Sequence, residues 1–511
     1  MKTSRWVGAA VAVAALIAVG LVLVGTRQGP GASPDTTNYI SGAGNLSSGD
    51  GFVNYALVPI TRFPPGFSMT LAVGDRLGID ASDGARWLNA FAFGALVVLV
   101  FLLARRHVRS VWLAAWAAAA VAFAPAMLGV HTYALTESVF SVLVVAMLLV
   151  LEPLMQRRGR APLLLLVAAV IGAAAFLYRY AGMTVLALPV LVIVVSGWRD
   201  RLGSVLVRVL TYVALASAVP ALVVARNLSE GTDSLGDRSS SEETVRDVAL
   251  DMTGALSEWT LDARVPAALR YAALAGAAVL VFAGLGVSVQ RSRRGQRVEG
   301  TPLLPLAAFV VGYLAYMVVS ELTTRIDPVN TRLLAPVFAP SVVLAAIAVQ
   351  ELVARDWRGH RRLVTRGLGV ALVLWLGVSL TASAARARHV GQAGQVYSSE
   401  SWQHSELAAR VRDLPQESFV FSNHPDGIYY VAGRQPIYLS PAADSIPSPE
   451  KVFRRQLNDS SSVYLAWYTN SFRGSILTPG ELRRRGLSLE PVTKTSDGVL
   501  YRVSSPGAAG V

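Results

Sequence analysis

A few charged side chains beside the long apolar segments of this sequence are the residues that could do chemistry. Asp35 lies in the first loop, Glu137 opens an apolar segment, and Arg179, Arg325 and Arg332 lie near the ends of others. Ionisable groups at membrane depth are costly unless they line a polar cavity. A carboxylate can take up a proton, and a guanidinium group binds phosphate oxygens through paired hydrogen bonds. These residues therefore indicate chemistry that involves a proton and an anion.

The elements that must position these residues are membrane helices. Of the 511 residues, 53% are hydrophobic and 15% are charged, whereas soluble proteins carry about 25% charged residues. The apolar residues form long blocks, which excludes a soluble enzyme, a disordered chain and a fibrous protein. The absence of cysteine excludes disulfides, thiolate metal sites and cysteine catalysis. The net charge of +13 does not indicate a nucleic-acid partner, because the arginines lie in short clusters between apolar runs.

Eleven apolar segments qualify as membrane spans, since a bilayer core about 30 Å thick needs roughly 20 apolar residues per helix. The first is long for a signal peptide and no convincing cleavage site follows, so we expect it to be retained. The fifth and sixth are short, and we expect two helices hinged at Tyr178-Arg179-Tyr180. The predicted spans are 6–25, 87–104, 111–130, 135–154, 162–177, 182–196, 205–225, 267–289, 302–320, 333–353 and 367–385.

The arginine clusters between these spans predict the orientation of the chain in the membrane. With eleven alternating spans, the clusters within 105–109, 157–160, 199–201, 291–297 and 355–362 all fall on one side. Connections on the other side hold at most two arginines each, if the long first loop and the 226–266 loop are set aside. By the positive-inside rule the clusters face the cytoplasm. We therefore expect a multi-pass protein of the cell membrane, with its N-terminus cytoplasmic and its C-terminal region extracytoplasmic.

The predicted fold is mainly α, a polytopic bundle of about 11 transmembrane helices with a small extracytoplasmic α/β domain at the C-terminus. The transmembrane part covers 1–385, with large outer loops at 26–86 and 226–266, and the soluble domain covers 386–511. In that domain the sequence predicts strands at 418–421, 436–439, 462–466 and 499–503, and helices at 405–411, 449–456 and 479–485. The segment Ser422-Asn423-His424-Pro425-Asp426 predicts a turn that starts a helix.

Four short motifs follow one another along the chain: an acidic motif and a Pro-Pro-Gly motif in the first loop, a turn leading into a helix that opens with glutamate, and a late Arg-x-x-x-Pro element. Their residues are Asp35, Tyr39, Ala43, Leu46 and Gly49; Pro64-Pro65-Gly66; Tyr133-Ala134-Leu135-Thr136-Glu137; and Arg332-Leu333-Leu334-Ala335-Pro336. In order, spacing and sidedness these motifs resemble the GT-C superfamily of membrane glycosyltransferases. The resemblance is closer to its bacterial protein-mannosyltransferase and aminoarabinose-transferase-like branch, and covers roughly residues 1–340.

This resemblance implies an inverting glycosyltransferase, which moves a sugar from a polyprenyl-phosphate carrier to an extracytoplasmic acceptor. The acceptor would be a glycan, lipid or protein of the cell envelope, and the lipid carrier explains why the enzyme lies among membrane lipids. No Gly-rich nucleotide loop is needed, and the sequence contains none. Displacement at the anomeric carbon needs a general base, for which we choose Asp35. The departing phosphate needs positive charge, for which the candidates are Arg179, Arg325 and Arg332, with Arg62 as a secondary one.

Six further residues are candidates for positioning the sugar or the acceptor: Glu137, Tyr39, Asn38, His131, Tyr133 and Tyr178. The C-terminal domain is expected to cover the cavity or to help choose the acceptor. The sequence departs from many relatives in having Thr36 where a second carboxylate often follows the acid, and the first loop has no D-x-D. We therefore assign no metal ligand and no cofactor, although a divalent metal stays an open alternative.

Each candidate also has a purely structural interpretation. Asp35 could be a helix N-cap, and Glu137 lies where the helix dipole favours an acid without any function. His131 and Tyr133 could be packing or anchoring residues. The Arg179 side chain could extend to the membrane interface. Arg325 could simply pair with Asp327.

Two other functions remain open from the sequence. A transporter or flippase of lipid-linked glycans would typically have repeated halves and broken helices in the middle of the membrane. This chain has no evident repeat and no charges in the middle of its predicted spans. A glycan polymerase or ligase of the envelope also works outside the membrane with many helices, but its main catalytic loop normally lies late in the chain.

Overall fold

The computed structural model of the protein describes residues 2–155, 161–293, 303–355, 360–438, 462–469 and 476–504. Apart from a short 3-10 helix, Tyr180–Gly182, the helices are α1 Lys2–Gly25, α2 Pro34–Ser48, α3 Gly66–Arg76, α4 Ala81–His107, α5 Val111–Phe123, α6 Pro125–His131, α7 Glu137–Met155, α8 Ala161–Tyr178, α9 Met183–Ser196, α10 Leu202–Ser229, α11 Val245–Ser257, α12 Ala267–Arg293, α13 Leu304–Thr323, α14 Thr331–Ala354, α15 Arg361–Ala393, α16 Glu400–Gln403, α17 Glu406–Arg412, α18 Pro425–Ala432 and α19 Pro479–Arg484. The strands are β1 Phe419–Ser422, β2 Ile437–Tyr438, β3 Val463–Tyr468, β4 Ser488–Lys494 and β5 Gly498–Ser504.

Several of the helices have the length and composition of membrane spans. Eight helices in the described residues are long and apolar enough to cross a membrane: α1, α4, α7, α10, α12, α13, α14 and α15. Helices α5 and α6, bent by 55° at Ala124–Pro125, form a ninth span if counted together. The shorter apolar helices α8 and α9 occupy the fifth and sixth predicted spans. Each of the eleven predicted spans thus corresponds to a helix or a bent pair, and the predicted polytopic α bundle is confirmed.

Side-chain contacts distinguish the two ends of the bundle. At one end Arg106 donates to the Leu149 carbonyl at 2.6 Å and pairs with Glu152, and the backbone of Arg109 donates to Gln350. These residues belong to the loops and helix ends where the sequence analysis placed the basic clusters. The cluster within 157–160 and parts of those within 291–297 and 355–362 lie outside the described residues. The remaining candidate residues of the bundle lie at the opposite end, described below.

A break between α8 and α9 shapes that opposite end, at the hinge the sequence predicts. Helix α8 ends at Tyr178, Arg179 adopts an extended backbone with φ −152° and ψ 139°, and a 3-10 turn then leads into α9. The turn folds back onto α8 so closely that a Cβ on Gly182 would lie 2.4 Å from the Ala175 carbonyl oxygen. Only glycine allows this approach, so the hinge depends on the residue type at position 182.

The Pro-Pro-Gly motif packs against the same hinge. Pro65 precedes α3 and Gly66 is its first residue. A Cβ on Gly66 would lie 2.6 Å from the Leu177 carbonyl oxygen. The motif therefore places the start of α3 directly on the last turn of α8, next to Arg179.

By its internal contacts the chain forms two compact units. One contains residues 1–27 and 60–391, and the other contains 28–59 together with 392–511. The first loop, 26–86, is thus shared between the units. Its first half, which includes α2, packs with the C-terminal residues, and its second half packs with the bundle.

The C-terminal unit is built on a five-stranded mixed sheet of order β2-β1-β3-β5-β4. Strand β1 runs parallel to β2 and β3, whereas β5 is antiparallel to β3 and β4. Pro425 stands at the first turn of α18, immediately after β1, as the sequence predicts. The predicted helix 449–456 lies outside the described residues. The small α/β domain is confirmed, but the sequence analysis missed β4, an edge strand that is largely exposed and contains Pro491.

We predict that Gly182→Ala destabilises the bundle by about 1–3 kcal/mol, because the new methyl group would overlap the Ala175 backbone. Thermal unfolding of the purified protein in detergent measures this change. Gly312→Ala is the matched control, since nothing lies within 4 Å of a Cβ at that helical position. An unchanged melting temperature for Gly182→Ala would contradict the close approach at the hinge.

Candidate active site

A buried glutamate organises the charged residues at this end of the bundle. Glu137 is the first residue of α7 and only 1% exposed. Its Oε1 atom lies 2.6 Å from the Arg179 guanidinium and 3.7 Å from Arg332. Thr136 links the same groups, because its hydroxyl donates to Glu137 and accepts from Arg179 at 3.1 Å. One carboxylate thus holds two arginines from distant parts of the chain, one at the hinge after α8 and the other at the start of α14.

Arg332 is held by two carboxylates. Its Nη2 atom lies 2.6 Å from Asp327, while its Nε side faces Glu137. Asn330 fixes the backbone here, because its side chain caps α14 by accepting from the amides of Arg332 and Leu333. Helix α14 is the most buried of the eight long apolar helices, because 78% of its most apolar stretch is covered by the rest of the protein. The position of Arg332 is therefore set by the best-packed helix of the membrane part.

The hinge positions Arg179 between two tyrosines that are both anchored. The Tyr178 hydroxyl lies 2.6 Å from the Thr70 hydroxyl of α3. The Tyr180 hydroxyl donates to the Thr61 carbonyl at 2.7 Å and accepts from Asn227 at 2.8 Å. The hinge is therefore tied to α3 through Tyr178 and to the segment before the Pro-Pro-Gly motif through Tyr180.

Arg62 lies in this tied segment and contacts the loop that follows α10. Its Nε donates to the Asp237 carbonyl at 3.2 Å, and Arg238 donates to the Arg62 carbonyl at 3.0 Å. Arg226 reinforces the connection by donating to the Ile60 carbonyl at 2.9 Å. A Cβ on Gly236 would lie 2.5 Å from the Thr61 carbonyl, so the two loops touch along their backbones. Arginines of two distant loops are thus brought side by side.

The charges of these arginines act on one another. Although Arg238 keeps solvent exposure, partial desolvation and then the Arg62 charge lower its pKa from the ordinary value. The Arg179 charge contributes in the same direction. In the described part of the chain Arg62 and Arg238 bond to backbone carbonyls, and neither pairs with a carboxylate. An arrangement of like charges is costly, and a bound anion would relieve it.

Of the remaining candidates in the bundle, His131 and Tyr133 lie next to α4. His131 is buried, its ring stacks on Phe93 with centroids 4.1 Å apart, and its Nδ1 lies 2.8 Å from the Met127 carbonyl. Burial raises the pKa of Tyr133, and the Tyr133 carbonyl accepts from Asn89. These contacts fit packing residues that stabilise the turn before Glu137.

Arg325 makes a different contact from the pairing with Asp327 that the sequence analysis offers as its structural interpretation. Its side chain is exposed, and its backbone amide donates to the Ser239 carbonyl at 2.9 Å. Asp327, the expected partner of Arg325, pairs with Arg332 instead. The structural interpretation of an Arg325–Asp327 pair is therefore wrong, and Arg325 serves through its backbone to join two loops.

Asp35 lies in the C-terminal unit, in the first turn of α2. The N-cap of this helix is Ser33, whose hydroxyl accepts from the Thr36 amide, and Pro34 follows it. The interpretation of Asp35 as an N-cap is therefore wrong. Asp35 is half-buried. Asn38 donates to the Pro34 carbonyl at 2.9 Å, and Tyr39 is buried at 4% exposure, so both stabilise the turn that presents the acid.

Thr36, which replaces a second carboxylate, is fully buried inside this unit. Among the described residues there is no group of three histidine, aspartate or glutamate side chains arranged to hold a metal ion. The described geometry thus offers carboxylates and arginines as the reactive groups.

The sequence of the bundle matches a known family. Residues 60–225 match the profile of the dolichyl-phosphate-mannose-protein mannosyltransferase family. This match includes Arg62, the Pro-Pro-Gly motif, Glu137 and the hinge at Arg179. A comparison with curated proteins finds no significant match.

Solved structures match over the whole chain. ArnT from Cupriavidus metallidurans matches in the apo state, with a TM-score of 0.65 at 15% identity over 98% of both chains. The same protein bound to undecaprenyl phosphate matches with a TM-score of 0.64 at 14% identity over 99% of both chains. The archaeal oligosaccharyltransferase AglB from Archaeoglobus fulgidus matches with a TM-score of 0.56 at 14% identity, over 91% of this chain and 70% of that one. The protein has the GT-C fold.

The resemblance that the sequence motifs indicate is thus confirmed. By the length and composition of its described helices, the chain is a multi-pass membrane protein. The arabinofuranosyltransferase AftD from Mycobacteria also matches, with a TM-score of 0.52 at 16% identity, over 98% of this chain but 42% of that one. The named neighbours carry different transferase names on one fold, so the fold alone does not select the sugar.

The sequence analysis missed several polar residues of the candidate site. Arg238 and Arg226 lie in or beside a long polar loop, where arginine is common, and nothing in the local pattern distinguishes them. Tyr180 was named only as part of the hinge, yet it joins three segments. Arg386 was assigned to the start of the soluble tail but belongs to α15, where it contacts α6 near Gly129. Only the tertiary contacts identify these residues.

We predict that Glu137→Gln destabilises the bundle by about 3–5 kcal/mol, because it leaves two arginines without their shared buried charge. Thermal unfolding in detergent measures the loss. Glu152→Gln is the matched control, since Glu152 pairs with the more exposed Arg106 and should cost about 1 kcal/mol or less. Equal melting temperatures for the two variants would contradict a structural role for Glu137.

Proposed function

We propose that this protein is an inverting glycosyltransferase that moves a sugar from a polyprenyl-phosphate carrier to an acceptor on the extracytoplasmic side of the membrane. The acceptor is a hydroxyl-bearing glycan, lipid or protein of the cell envelope. In this proposal the end of the bundle that carries Glu137 and the arginines faces outward, the N-terminus is cytoplasmic, and the C-terminal domain is extracytoplasmic. The basic clusters at the other end support this orientation.

The proposed reaction is a single displacement. Asp35 accepts the proton of the acceptor hydroxyl while the oxygen forms a bond to the anomeric carbon. The bond from that carbon to the phosphate oxygen breaks, and the electron pair leaves with the polyprenyl phosphate. One displacement inverts the anomeric configuration. The leaving group gains negative charge, which arginine guanidinium groups can neutralise.

The observation that carries this proposal is the concentration of arginines at one end of an apolar bundle. Glu137 and Asp327 together balance the two positive charges of Arg179 and Arg332. Further positive charge at this end comes from other arginines, among them Arg62 and Arg238, whose described contacts are backbone carbonyls. We therefore assign the phosphate to Arg62 and Arg238. Arg179 and Arg332 form the wall that orients it, and the exposed Arg325 is a weaker candidate.

The similar structures support a lipid-phosphate ligand. One of them is ArnT bound to undecaprenyl phosphate, and it aligns over 99% of both chains. Another, AglB, is in complex with an inhibitory peptide and a dolichol-phosphate. Both lipid ligands contain a polyprenyl chain and a phosphate group. The chain would need an apolar bundle to bind, and the phosphate would need basic side chains.

In the same proposal Glu137, Tyr178, His131 and Tyr133 build the wall around the donor and do not react. Asn38 and Tyr39 stabilise the turn that carries the base. No metal ligand or cofactor is assigned, because a single carboxylate and the arginines can supply both the base and the charge neutralisation.

We predict that Asp35→Asn lowers sugar transfer by about a hundred- to ten-thousandfold, because the amide cannot take the acceptor proton. Reconstituted membranes would be assayed with polyprenyl-phosphate mannose and polyprenyl-phosphate arabinofuranose as donors. The acceptor would be the envelope fraction of a strain that lacks the protein.

Asp50→Asn is the matched control for this variant. Asp50 lies in the same loop, is exposed, and accepts only a local hydrogen bond from Ser48 in the contacts described. It should transfer sugar at the wild-type rate. Retained transfer by Asp35→Asn would reject Asp35 as the base, and movement of the lipid-linked sugar across the membrane without a new glycosidic bond would favour a flippase.

We predict that Arg62→Gln and Arg238→Gln each weaken binding of undecaprenyl phosphate by roughly ten- to a hundredfold, the worth of a charge-assisted hydrogen bond. Binding to the purified protein in detergent measures this change. Arg264→Gln is the control, because Arg264 is largely exposed and pairs with its neighbour Asp262. Wild-type affinity in both test variants would place the phosphate elsewhere.

A further inference from the structure

The helix that carries Asp35 is held by a buried carboxylate of the C-terminal domain. The Oδ1 atom of Asp426 accepts from the Thr37 hydroxyl at 3.0 Å and from the Tyr55 hydroxyl at 3.1 Å. Thr37 is fully buried and Asp426 is 7% exposed. The hydroxyl proton of Thr37 is shared between Asp426 and the Pro34 carbonyl, which lies 2.8 Å from the hydroxyl oxygen. The first turn of α2, the turn of Asp35, is therefore fixed to α18.

Asp426 is well suited to this role. It lies in the first turn of α18, where the helix dipole stabilises a negative charge. A buried carboxylate must be hydrogen-bonded, because an unsatisfied one is very costly. Tyr55, one of its donors, also stacks on Tyr429 with ring centroids 4.8 Å apart and an interplanar angle of 20°. Helix α18 thus holds Tyr55 through both its hydroxyl and its ring.

The chain just before α2 is fastened to the same domain by its backbone. The Tyr397 amide donates to the Ala32 carbonyl at 3.1 Å, and the Ala32 amide donates to Gln395. Gln403 donates to the Gln28 carbonyl at 3.1 Å. The segment 28–59 is therefore held before α2, at the first turn of α2, and after it at Tyr55.

We infer that Asp426 is a positioning residue for Asp35, and that the C-terminal domain thereby sets the place of the general base. The inference rests on the proposed function and deepens it. Thr37 lies two residues after Asp35 in the same helical turn, so loss of the Asp426 contacts lets that turn shift. A displacement of about 1 Å in a reacting group can cost on the order of a hundredfold in rate.

Two substitutions at position 426 separate the effect of losing the hydrogen-bond acceptor from the effect of changing the side chain. Asp426→Leu keeps the number and branching of the side-chain heavy atoms but removes the acceptor. It should lower kcat by about ten- to a hundredfold with little change in the KM for the donor, and it should increase amide hydrogen exchange in residues 34–48. Asp426→Asn keeps an acceptor oxygen and should stay within severalfold of the wild type in kcat and in exchange. Both are measured on the full-length protein with the donors named above.

Milder variants keep the test decisive if Asp426→Leu does not fold. Tyr55→Phe and Thr37→Val each remove one hydroxyl and leave the carboxylate in place, so each should raise exchange in residues 34–48 by a smaller amount. In the Asp426→Leu background Tyr55→Phe should add no further loss, because the two residues act through one contact. Asp413→Leu, at an exposed position of the same domain, is the matched control and should behave as wild type.

The outcomes distinguish this inference from the proposed function. If Asp426→Leu leaves exchange in residues 34–48 unchanged, or raises exchange without lowering kcat, the positioning role is rejected while the transferase proposal stands. If Asp35→Asn keeps full activity, the choice of base is rejected. The exchange measurements would then still report whether Asp426 fixes the helix.

Discussion

The membrane part of this protein depends on one constraint, that charge buried among apolar helices must be neutralised where it lies. Glu137 meets this constraint by holding two arginines that come from distant parts of the chain. Taking either partner away would leave a charge in a poorly solvated place. The ends of α7, α8 and α14 are therefore coupled to one another by electrostatics as well as by packing. The same coupling keeps two guanidinium groups at a fixed depth.

Around this core the loops are joined mainly through backbone carbonyls. Arg62, Arg226 and Arg238 each donate to a carbonyl of another loop, and Tyr180 does the same. Such contacts hold the backbone without using up the positive charge of the arginines. A carboxylate in the same place would have held the loops equally well but would have cancelled the field. The candidate site therefore combines rigid loops with guanidinium groups whose charge these carbonyl contacts do not cancel, an arrangement that would suit an anionic ligand.

The fold could be predicted from the sequence because membrane helices follow from composition. Helices lie at all eleven predicted spans, and the chain breaks at Arg179 as the apolar pattern predicts, since a bilayer leaves few alternatives to helices. The motifs likewise indicated the GT-C fold. What the sequence could not give was the partnership of charges, because Asp327 is closer in sequence to Arg325 and yet pairs with Arg332 across the start of α14. Strand β4 escaped notice for a related reason, since an exposed edge strand with a proline lacks the apolar alternation that marks a strand. Arg238 escaped because it lies in a polar loop and gains meaning only beside Arg62.

The division of the first loop between two units has a consequence for how the protein is made. Residues 28–59 pack with residues 392–511, and the whole membrane bundle except α1 lies between them in the sequence. At a synthesis rate of about 5–20 residues per second, the early segment waits on the order of tens of seconds before its packing partner leaves the ribosome. While the ten later spans are synthesised and inserted, helix α2 must therefore lack the contacts that bury Thr36 and Thr37. The C-terminal unit is therefore the last part of the protein to assemble. A chain interrupted before α18 would contain a nearly complete bundle, but its segment 28–59, which carries Asp35, would lack its packing partner.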